Sequence, residues 1–145
     1  MRQFKNISNS PFTSDAAIIL EIRSLFPNFD EPVQKLIAGM AGCSPFLHDL
    51  VKKEVNWITK VLKSESSPEE TITNEVLQSS NISKSLRVAK ARISLWTALQ
   101  DLSGNWKLEE VSKCLSEFAD FSVKIALKYS VDSLIAEGKL SKLKN

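Results

Sequence analysis

Residue types that break helices or bind metals are scarce in this chain. Its 145 residues include four glycines, five prolines, two cysteines and one histidine. So few helix breakers in a chain of this length favour helices over many short strands. The single histidine, His48, excludes a metal site built on two histidines. The cysteines, Cys43 and Cys114, form no CxxC pair and no disulfide-dense pattern, so we expect reduced thiols.

Motifs for phosphate binding, metal binding and membrane insertion are also missing. The sequence has no glycine-rich phosphate loop and no Asp-x-Asp pair that could hold Mg²⁺. No apolar run approaches the roughly 20 residues of a spanning helix, and the polar N-terminus lacks the apolar core of a signal peptide. The net charge of +2 is too small to argue for nucleic acid or an anionic membrane. We therefore expect a cytoplasmic protein that binds neither.

Cap residues followed by apolar positions at helical spacing predict an all-α chain. Helices are predicted from Ser14 to before Pro27, from Asp30 to Gly42, from Ser44 through Val61, from Ser67 to about Ser79, from about Ile82 to Ser103, and from about Lys107 to Glu137. We expect a bundle of about six helices with a long antiparallel C-terminal helix pair. The predicted helical domain spans 14–137, between a polar tail at 1–13 and a basic linker or tail at 138–145.

The predicted fifth helix is expected to lie at the centre of the bundle. Apolar residues cover two of its flanks, which indicates burial on more than one side. Its polar residues form one narrow stripe, at Ser83, Arg87, Lys90, Ser94, Thr97 and Asp101. Arg92 lies between the apolar flanks, so we expect it to find an acidic partner or to reach water. The predicted sixth helix offers a matching apolar stripe, at Leu108, Val111, Leu115, Phe118, Ile125 and Tyr129.

Several side chains could carry chemistry, but each has an ordinary structural explanation. Glu69-Glu70 and Glu109-Glu110 lie in predicted first turns, where carboxylates complement the helix dipole. His48 is expected at a helix surface or half-buried. A nucleophilic pair of Cys43 and His48 is disfavoured, because the two lie five residues apart with a helix cap between them. Cys114 has no evident base beside it.

Four basic residues of the predicted fifth helix could form a ridge that contacts phosphates: Lys84, Arg87, Lys90 and Arg92. Proteins that bind single-stranded nucleic acid interleave aromatic residues with such charges. The tryptophans instead follow helical apolar spacing or a tight turn and are expected in the core, at Trp57, Trp96 and Trp106. A solvated or ion-paired face is therefore favoured over a nucleic-acid site. No catalytic, cofactor-binding or metal-binding residue is assigned in this chain.

Two segments resemble one family, the bifunctional glutamine synthetase adenylyltransferase/adenylyl-removing enzymes. GCSPFL, at 42–47, resembles a G-N-S-P-F-L segment of that family. LRVAKARISLWTALQDLSGNWKLEEVSKCLSEFAD, at 86–120, resembles L-R-x-A-K-R-R…A-L-x-D-x-x-G-x-W-x-L-E-E-V…L-S-x-F-A-D. The matching positions are Leu86, Arg87, Ala89, Lys90, Arg92, Leu99, Asp101, Gly104, Trp106, Leu108, Glu109, Glu110, Val111, Leu115, Ser116, Ala119 and Asp120. The resemblance covers about the last two-thirds of the chain and fits the first 41 residues only loosely.

The chain departs from this family pattern at a few positions. Ala91 stands where the family often has arginine, and Cys43 replaces the usual asparagine. KKEVNW, at 52–57, lacks a proline that is common there. These departures concern packing and touch no catalytic residue.

The resemblance implies an N-terminal helical segment of the adenylyl-removing half of such an enzyme, without its active site. Family members are long proteins with two nucleotidyltransferase domains, one attaching AMP from ATP to glutamine synthetase and the other removing it by phosphorolysis. Each domain carries a G-M-G-K-L-G-like turn and an S-D-x-D motif for Mg²⁺, and neither motif occurs here. The chain is expected to stop before the first such motif and to scaffold the adenylyl-removing domain, with ATP and Mg²⁺ implied for the full-length family alone. Glutamine synthetase, the PII protein and the adjacent domain are the implied partners.

An alternative reading is an autonomous helical interaction module that binds a protein partner and catalyses nothing. An exposed apolar patch on the predicted sixth helix would support it.

Overall fold

The computed structural model describes residues 7–141, so parts of both predicted tails, 1–6 and 142–145, lie outside the described residues. Within this range the chain forms seven helices and no strand, which confirms the all-α fold. The helices are α1 (Ala16–Leu25), α2 (Glu31–Cys43), α3 (Pro45–Lys53), α4 (Val55–Lys63), α5 (Pro68–Leu77), α6 (Ile82–Leu102) and α7 (Leu108–Ala136).

Short polar side chains begin most of these helices, as the sequence predicts. The caps that accept a backbone N–H of their own first turn are Asp15, Asp30, Ser44, Ser67 and Asn81. Proline follows the cap within two positions in α2, α3 and α5, where its missing N–H costs nothing. The predicted cap of α1 was one position early, because Asp15 accepts from Ala17 and Ile18 in place of Ser14.

The predicted third helix is two helices, α3 and α4, which meet at Glu54. Glu54 leaves the helical conformation, with φ −111° and ψ 23°. Its carboxylate accepts a hydrogen bond from Arg92 Nε at 2.9 Å, across 38 residues of sequence. The break is thus associated with a long-range ion pair that local apolar spacing does not reveal.

The core is built around α2 and α6. Seven of the thirteen residues of α2 are buried, and α2 packs against α1, α3 and α6. α6 packs against α2, α3, α5 and α7, which confirms its predicted central position. Fully buried side chains include Ile22, Phe26, Leu36, Ile37, Met40, Ile58, Ile72, Leu95 and Leu99.

An extended segment before α1, which we name the N-terminal strap (residues 7–15), ties the two ends of the chain together. The backbone N–H groups of Ser8 and Asn9 both donate to the carbonyl oxygen of Ser103, at 3.0 and 3.2 Å. That carbonyl belongs to the residue that caps the C-terminus of α6. The strap therefore fixes the turn between α6 and α7 from the far end of the sequence.

Two glycines of α2 give the strap its seat. A Cβ atom on Gly39 would lie 2.0 Å from the carbonyl oxygen of Pro11, which is impossible without moving backbone. A Cβ on Gly42 would lie 2.5 Å from the hydroxyl of Thr13. The strap can lie this close to α2 only because both positions lack a side chain.

α7 is antiparallel to α6 after a short turn in which Gly104 adopts φ +74°, a left-handed conformation that favours glycine. The predicted helix pair is confirmed, but the predicted stripe on α7 is wrong in part. Leu108, Leu115 and Tyr129 are exposed. The residues of α7 that belong to the core or pack against it are Cys114, Phe118, Phe121 and Ile125, while Val111 is half-buried. The helix is rotated so that Cys114 lies against Thr97, whose hydroxyl is 3.8 Å from the Cys114 sulfur.

Candidate docking surfaces

The single histidine takes part in a bridge between α1 and α3. His48 Nε2 lies 2.5 Å from Glu21 Oε2, and Lys52 Nζ lies 3.0 Å from Glu21 Oε1. Hydrogen bonds from Lys52 and then from His48 lower the pKa of Glu21 below its ordinary value. His48 is half-buried, as expected, and its imidazole is aimed at this carboxylate rather than at a thiol. The bridge joins α1 to α3, so its role is to hold these two helices together.

Neither cysteine lies in the environment of an activated nucleophile. Cys43 is exposed at the end of α2, and His48 is engaged with Glu21. Cys114 is buried, and burial raises the pKa of its thiol; Glu69 and Glu117 raise it further, against a hydrogen bond from Thr97. A raised pKa keeps a thiol protonated, whereas nucleophilic cysteines need the thiolate.

Arg92 has the acidic partners that its position between apolar flanks required. Its Nε donates to Glu54 at 2.9 Å and its Nη1 donates to Glu75 at 2.5 Å. The guanidinium also lies 5.7 Å from the centroid of the Trp57 ring. One side chain of α6 thus contacts the residue before α4 and the last turn of α5, and its charge is paired with two carboxylates.

The predicted basic ridge is reduced by this pairing. Lys84, Arg87 and Lys90 are exposed on α6, but Arg92 is turned away to its two carboxylates. Trp57 and Trp96 are buried, so they offer no base-stacking surface, which confirms their predicted place in the core.

α7 carries an apolar surface that nothing in the described part of the chain covers. Six of the eleven exposed large apolar side chains among the described residues belong to it: Leu108, Leu115, Val123, Leu127, Tyr129 and Leu134. Leu108, Leu115 and Tyr129 belong to an uncharged row in which steps of four and three residues alternate, from Leu108 and Ser112 through Leu115, Ala119, Ser122, Ala126 and Tyr129 to Ser133, and Val123, Leu127 and Leu134 lie beside this row, on the side away from the core. This spacing is typical of a seam between two helices. We call these residues together the outer face of α7.

A groove of about 480 Å³ lies between α5 and α7. Apolar side chains from α6, α7 and the turn between them line it, at Ile93, Trp106, Cys114 and Phe118. The charged residues that line it are Glu69, Glu70, Glu110, Lys113 and Glu117. We call this the α5–α7 groove. From the sequence, Glu69-Glu70 and Glu109-Glu110 were explained by the helix dipole alone. The sequence did not predict that Glu69, Glu70 and Glu110 line one groove.

The buried Trp96 and the hydroxyl of Ser67 hold one carboxylate of the groove, Glu69, in place. The indole N–H of Trp96 donates to Glu69 Oε1 at 2.7 Å, and the hydroxyl of Ser67 donates to Glu69 Oε2 at 2.7 Å. Trp96 and Trp106 pack edge to face with ring centroids 6.1 Å apart. Glu69 is therefore a fixed part of the groove wall, beyond its place in the first turn of α5.

Two further properties concern residues 7–141 only. No group of three or more His, Cys, Asp or Glu side chains in this range could hold a metal ion. No helix in this range is both long and apolar enough to cross a membrane.

Comparison with known proteins gives one consistent family. The sequence model of the family described as glutamate-ammonia ligase adenylyltransferase matches residues 33–144. A bifunctional glutamine synthetase adenylyltransferase/adenylyl-removing enzyme of Bradyrhizobium sp. strain BTAi1 is 29% identical over 116 residues, covering 74% of this chain and 12% of the relative. A protein of the same description from Rhodopseudomonas palustris strain CGA009 is 26% identical over 141 residues, covering 90% of this chain and 13% of the relative.

An Agrobacterium fabrum protein of that description is 28% identical over 131 residues. The chain thus spans about an eighth of the length of the relatives it matches, as the shares of 12% and 13% state. No solved structure matches the chain.

Proposed function

The chain belongs to the glutamate-ammonia ligase adenylyltransferase family, and from this premise we propose that it is a non-catalytic, N-terminal helical part of an enzyme that adenylylates and deadenylylates glutamine synthetase. In this proposal the bundle scaffolds the adenylyl-removing nucleotidyltransferase domain, acts in the cytoplasm and serves the control of nitrogen assimilation. Glutamine synthetase and the PII protein are the proposed partners of the assembled enzyme. The matched segment leaves most of the relatives' length, and room for their catalytic domains, outside it.

The outer face of α7 is the observation that carries this proposal. The exposed leucine, valine and tyrosine side chains along this 29-residue helix are costly to expose to water, and the uncharged row is suited to packing against another helix. Inside the bundle α7 packs against α6 with its core-facing side. The outer face of α7 packs against no other helix among the described residues. A neighbouring domain of the same enzyme is the partner that the family relationship favours.

The residues of this chain do not fit the ATP and Mg²⁺ that the family's reactions imply. Between residues 7 and 141 no carboxylate cluster could hold a divalent cation, and no glycine-rich turn is present to cradle phosphates. We therefore assign the nucleotide and the metal to catalytic domains beyond the matched segment, and derive no chemical step from this chain.

Two measurements test the proposal. The purified chain, incubated with glutamine synthetase, Mg²⁺ and either ATP or inorganic phosphate, is expected to transfer or release no AMP, and measurable turnover would overturn the non-catalytic assignment. The second is to read the coding sequence after Asn145. A reading frame that continues into G-x-G-K-x-G and S-D-x-D motifs supports the scaffold, whereas a stop codon in an intact locus, with a stable product, contradicts it.

The same outer face also supports the second candidate, an autonomous interaction module. Such a module would use α7 to bind a separate protein, with no catalytic domain attached. Capture of purified glutamine synthetase by the isolated chain, abolished by Leu127→Glu on the outer face, favours the module. Failure of that capture, together with a continuing reading frame, favours the scaffold.

A further inference from the structure

The α5–α7 groove has the composition of a binding surface for a peptide side chain. Its apolar walls include two aromatic rings, Trp106 and Phe118, and its volume of about 480 Å³ falls in the range of roughly 300–1,000 Å³ typical of ligand sites. Trp106 is half-buried and its ring is held by the buried Trp96. The Trp106 ring is thus positioned by Trp96 before any partner arrives, which reduces the entropy lost on binding.

The charges around these walls are almost all negative. Four carboxylates and one ammonium group line the groove, although the chain as a whole carries a net charge of +2. Glu69 is held by Trp96 and Ser67, and Glu110 accepts from the backbone N–H of Lys107 at 2.8 Å. All three of these donors are neutral groups, so neither of these two hydrogen-bonding sets includes a lysine or arginine side chain.

The remaining two carboxylates are available to a partner. Glu70 has no side-chain hydrogen bond or ion pair within residues 7–141. Glu117 has one long contact, 3.8 Å, with the exposed Lys113 one turn away on the same helix. Such surface pairs contribute little to stability, so a competing cation can replace Lys113 at small cost.

We propose that the α5–α7 groove docks a basic, amphipathic segment of a protein partner, with an apolar side chain against Trp106 and Phe118 and lysine or arginine groups at Glu70 and Glu117. Negative potential beside aromatic walls favours a cationic segment over a neutral or acidic one. The α5–α7 groove lies on a different side of α7 from the outer face. The proposal is therefore independent of the scaffold function.

A pair of synthetic helical peptides tests the proposal with the whole chain. One peptide carries leucine at i, i+3, i+4 and i+7 and lysine elsewhere, and the other has glutamate in place of every lysine. Binding of the labelled peptides is measured by fluorescence anisotropy at low and physiological salt. The variant Glu70→Lys/Glu117→Lys reverses the two available charges, and Asp49→Lys/Asp132→Lys is its matched control, because both aspartates are exposed and lie outside the groove. Far-UV circular dichroism checks that both variants keep their helices.

The expected result is saturable binding of the lysine peptide alone, weakened about tenfold by the groove variant and little by the control. Three results overturn the proposal: no binding of the lysine peptide, equal binding of both peptides, or equal loss in the two variants. Leu127→Glu on the outer face of α7 is expected to leave binding unchanged. A failed scaffold function and a failed groove are therefore distinguishable.

Discussion

α2 and α7 belong to the same bundle, but α2 buries most of its residues whereas α7 exposes most of its own. α2 buries seven of its thirteen residues, whereas α7 buries one, Cys114, of its twenty-nine. α2 is enclosed by α1, α3, α6 and the strap, while α7 lies on α6 along one side and exposes apolar residues on another. The difference separates a helix that holds this bundle together from one that presents a surface to something else.

The largest expected difference in stability comes from truncating one apolar side chain in α2 and one in α7 to alanine. Ile37 is fully buried in α2, so Ile37→Ala should lower the free energy of unfolding by about 2–5 kcal/mol. Leu127 is 64% exposed on α7, and Leu127→Ala should cost less than about 0.5 kcal/mol. Urea unfolding followed by tryptophan fluorescence measures both. Similar costs for the two changes would contradict the division between a core helix and a presenting helix.

The ion pairs of Arg92 hold α6 to α4 and α5 and, like the core of α2, are expected to stabilise the bundle. Arg92→Met leaves Glu54 and Glu75 without their partner, and Glu54 is mostly buried, so we expect a loss of about 1–3 kcal/mol. Arg87→Met on the exposed side of the same helix is the control and should cost little. The loss should shrink when Arg92→Met is made together with Glu54→Gln and Glu75→Gln. A full loss in that background would mean that packing, not charge, explains the effect.

Substitutions at Gly39 and Gly42, where the strap contacts α2, are expected to change stability by a smaller amount. Gly39→Ala places a Cβ against the backbone of Pro11 and should cost about 1–2 kcal/mol. Gly42→Ala meets the movable side chain of Thr13 and should cost less. A chain without residues 1–13 lacks Pro11 and Thr13, the strap residues that lie on these glycines, so there Gly39→Ala should become neutral or stabilising. An unchanged penalty in the shortened chain would show that the strap does not lie on Gly39.

The smallest effect concerns the bridge between α1 and α3. The folded pKa of Glu21 lies below its ordinary value of 4.5, so the contribution of this carboxylate to stability is present above that pH and is lost as the pH falls through the folded pKa. The wild-type chain should therefore lose more stability on acidification below 4.5 than Glu21→Gln does. Thermal unfolding across that range measures the difference. Parallel pH profiles of the two proteins would argue against the bridge.

Local patterns in the sequence predicted what depends on neighbours along the chain. The caps Asp30, Ser44 and Ser67, the position of α6 and the end of that helix at Gly104 all follow from spacing and cap chemistry. The family resemblance likewise depends on a contiguous segment, 86–120, and the family match confirms it.

Features that depend on contacts between residues distant in sequence were not predicted. The break at Glu54 is linked to Arg92, 38 residues away, and the strap ends on Ser103, 95 residues from Ser8. The predicted stripe on α7 is partly wrong because leucines lie on more than one of its sides, and contacts with α6 such as that of Cys114 with Thr97 determine which side turns inward. That misplacement hid the outer face, which is the candidate docking surface.

Thiol labelling of the outer face tests the central claim, that α7 presents a surface for a neighbouring domain of the same enzyme. The protein is Leu127→Cys in a Cys43→Ser background, alone or fused after Asn145 to the region that follows the matched segment in the Bradyrhizobium relative. Lys128→Cys, exposed but on the charged side of α7, is the control. We predict that the cysteine at position 127 reacts rapidly in the isolated chain and slowly in the fusion, while the cysteine at 128 reacts at similar rates in both. Equally rapid labelling at position 127 in the isolated chain and in the folded fusion would contradict the account.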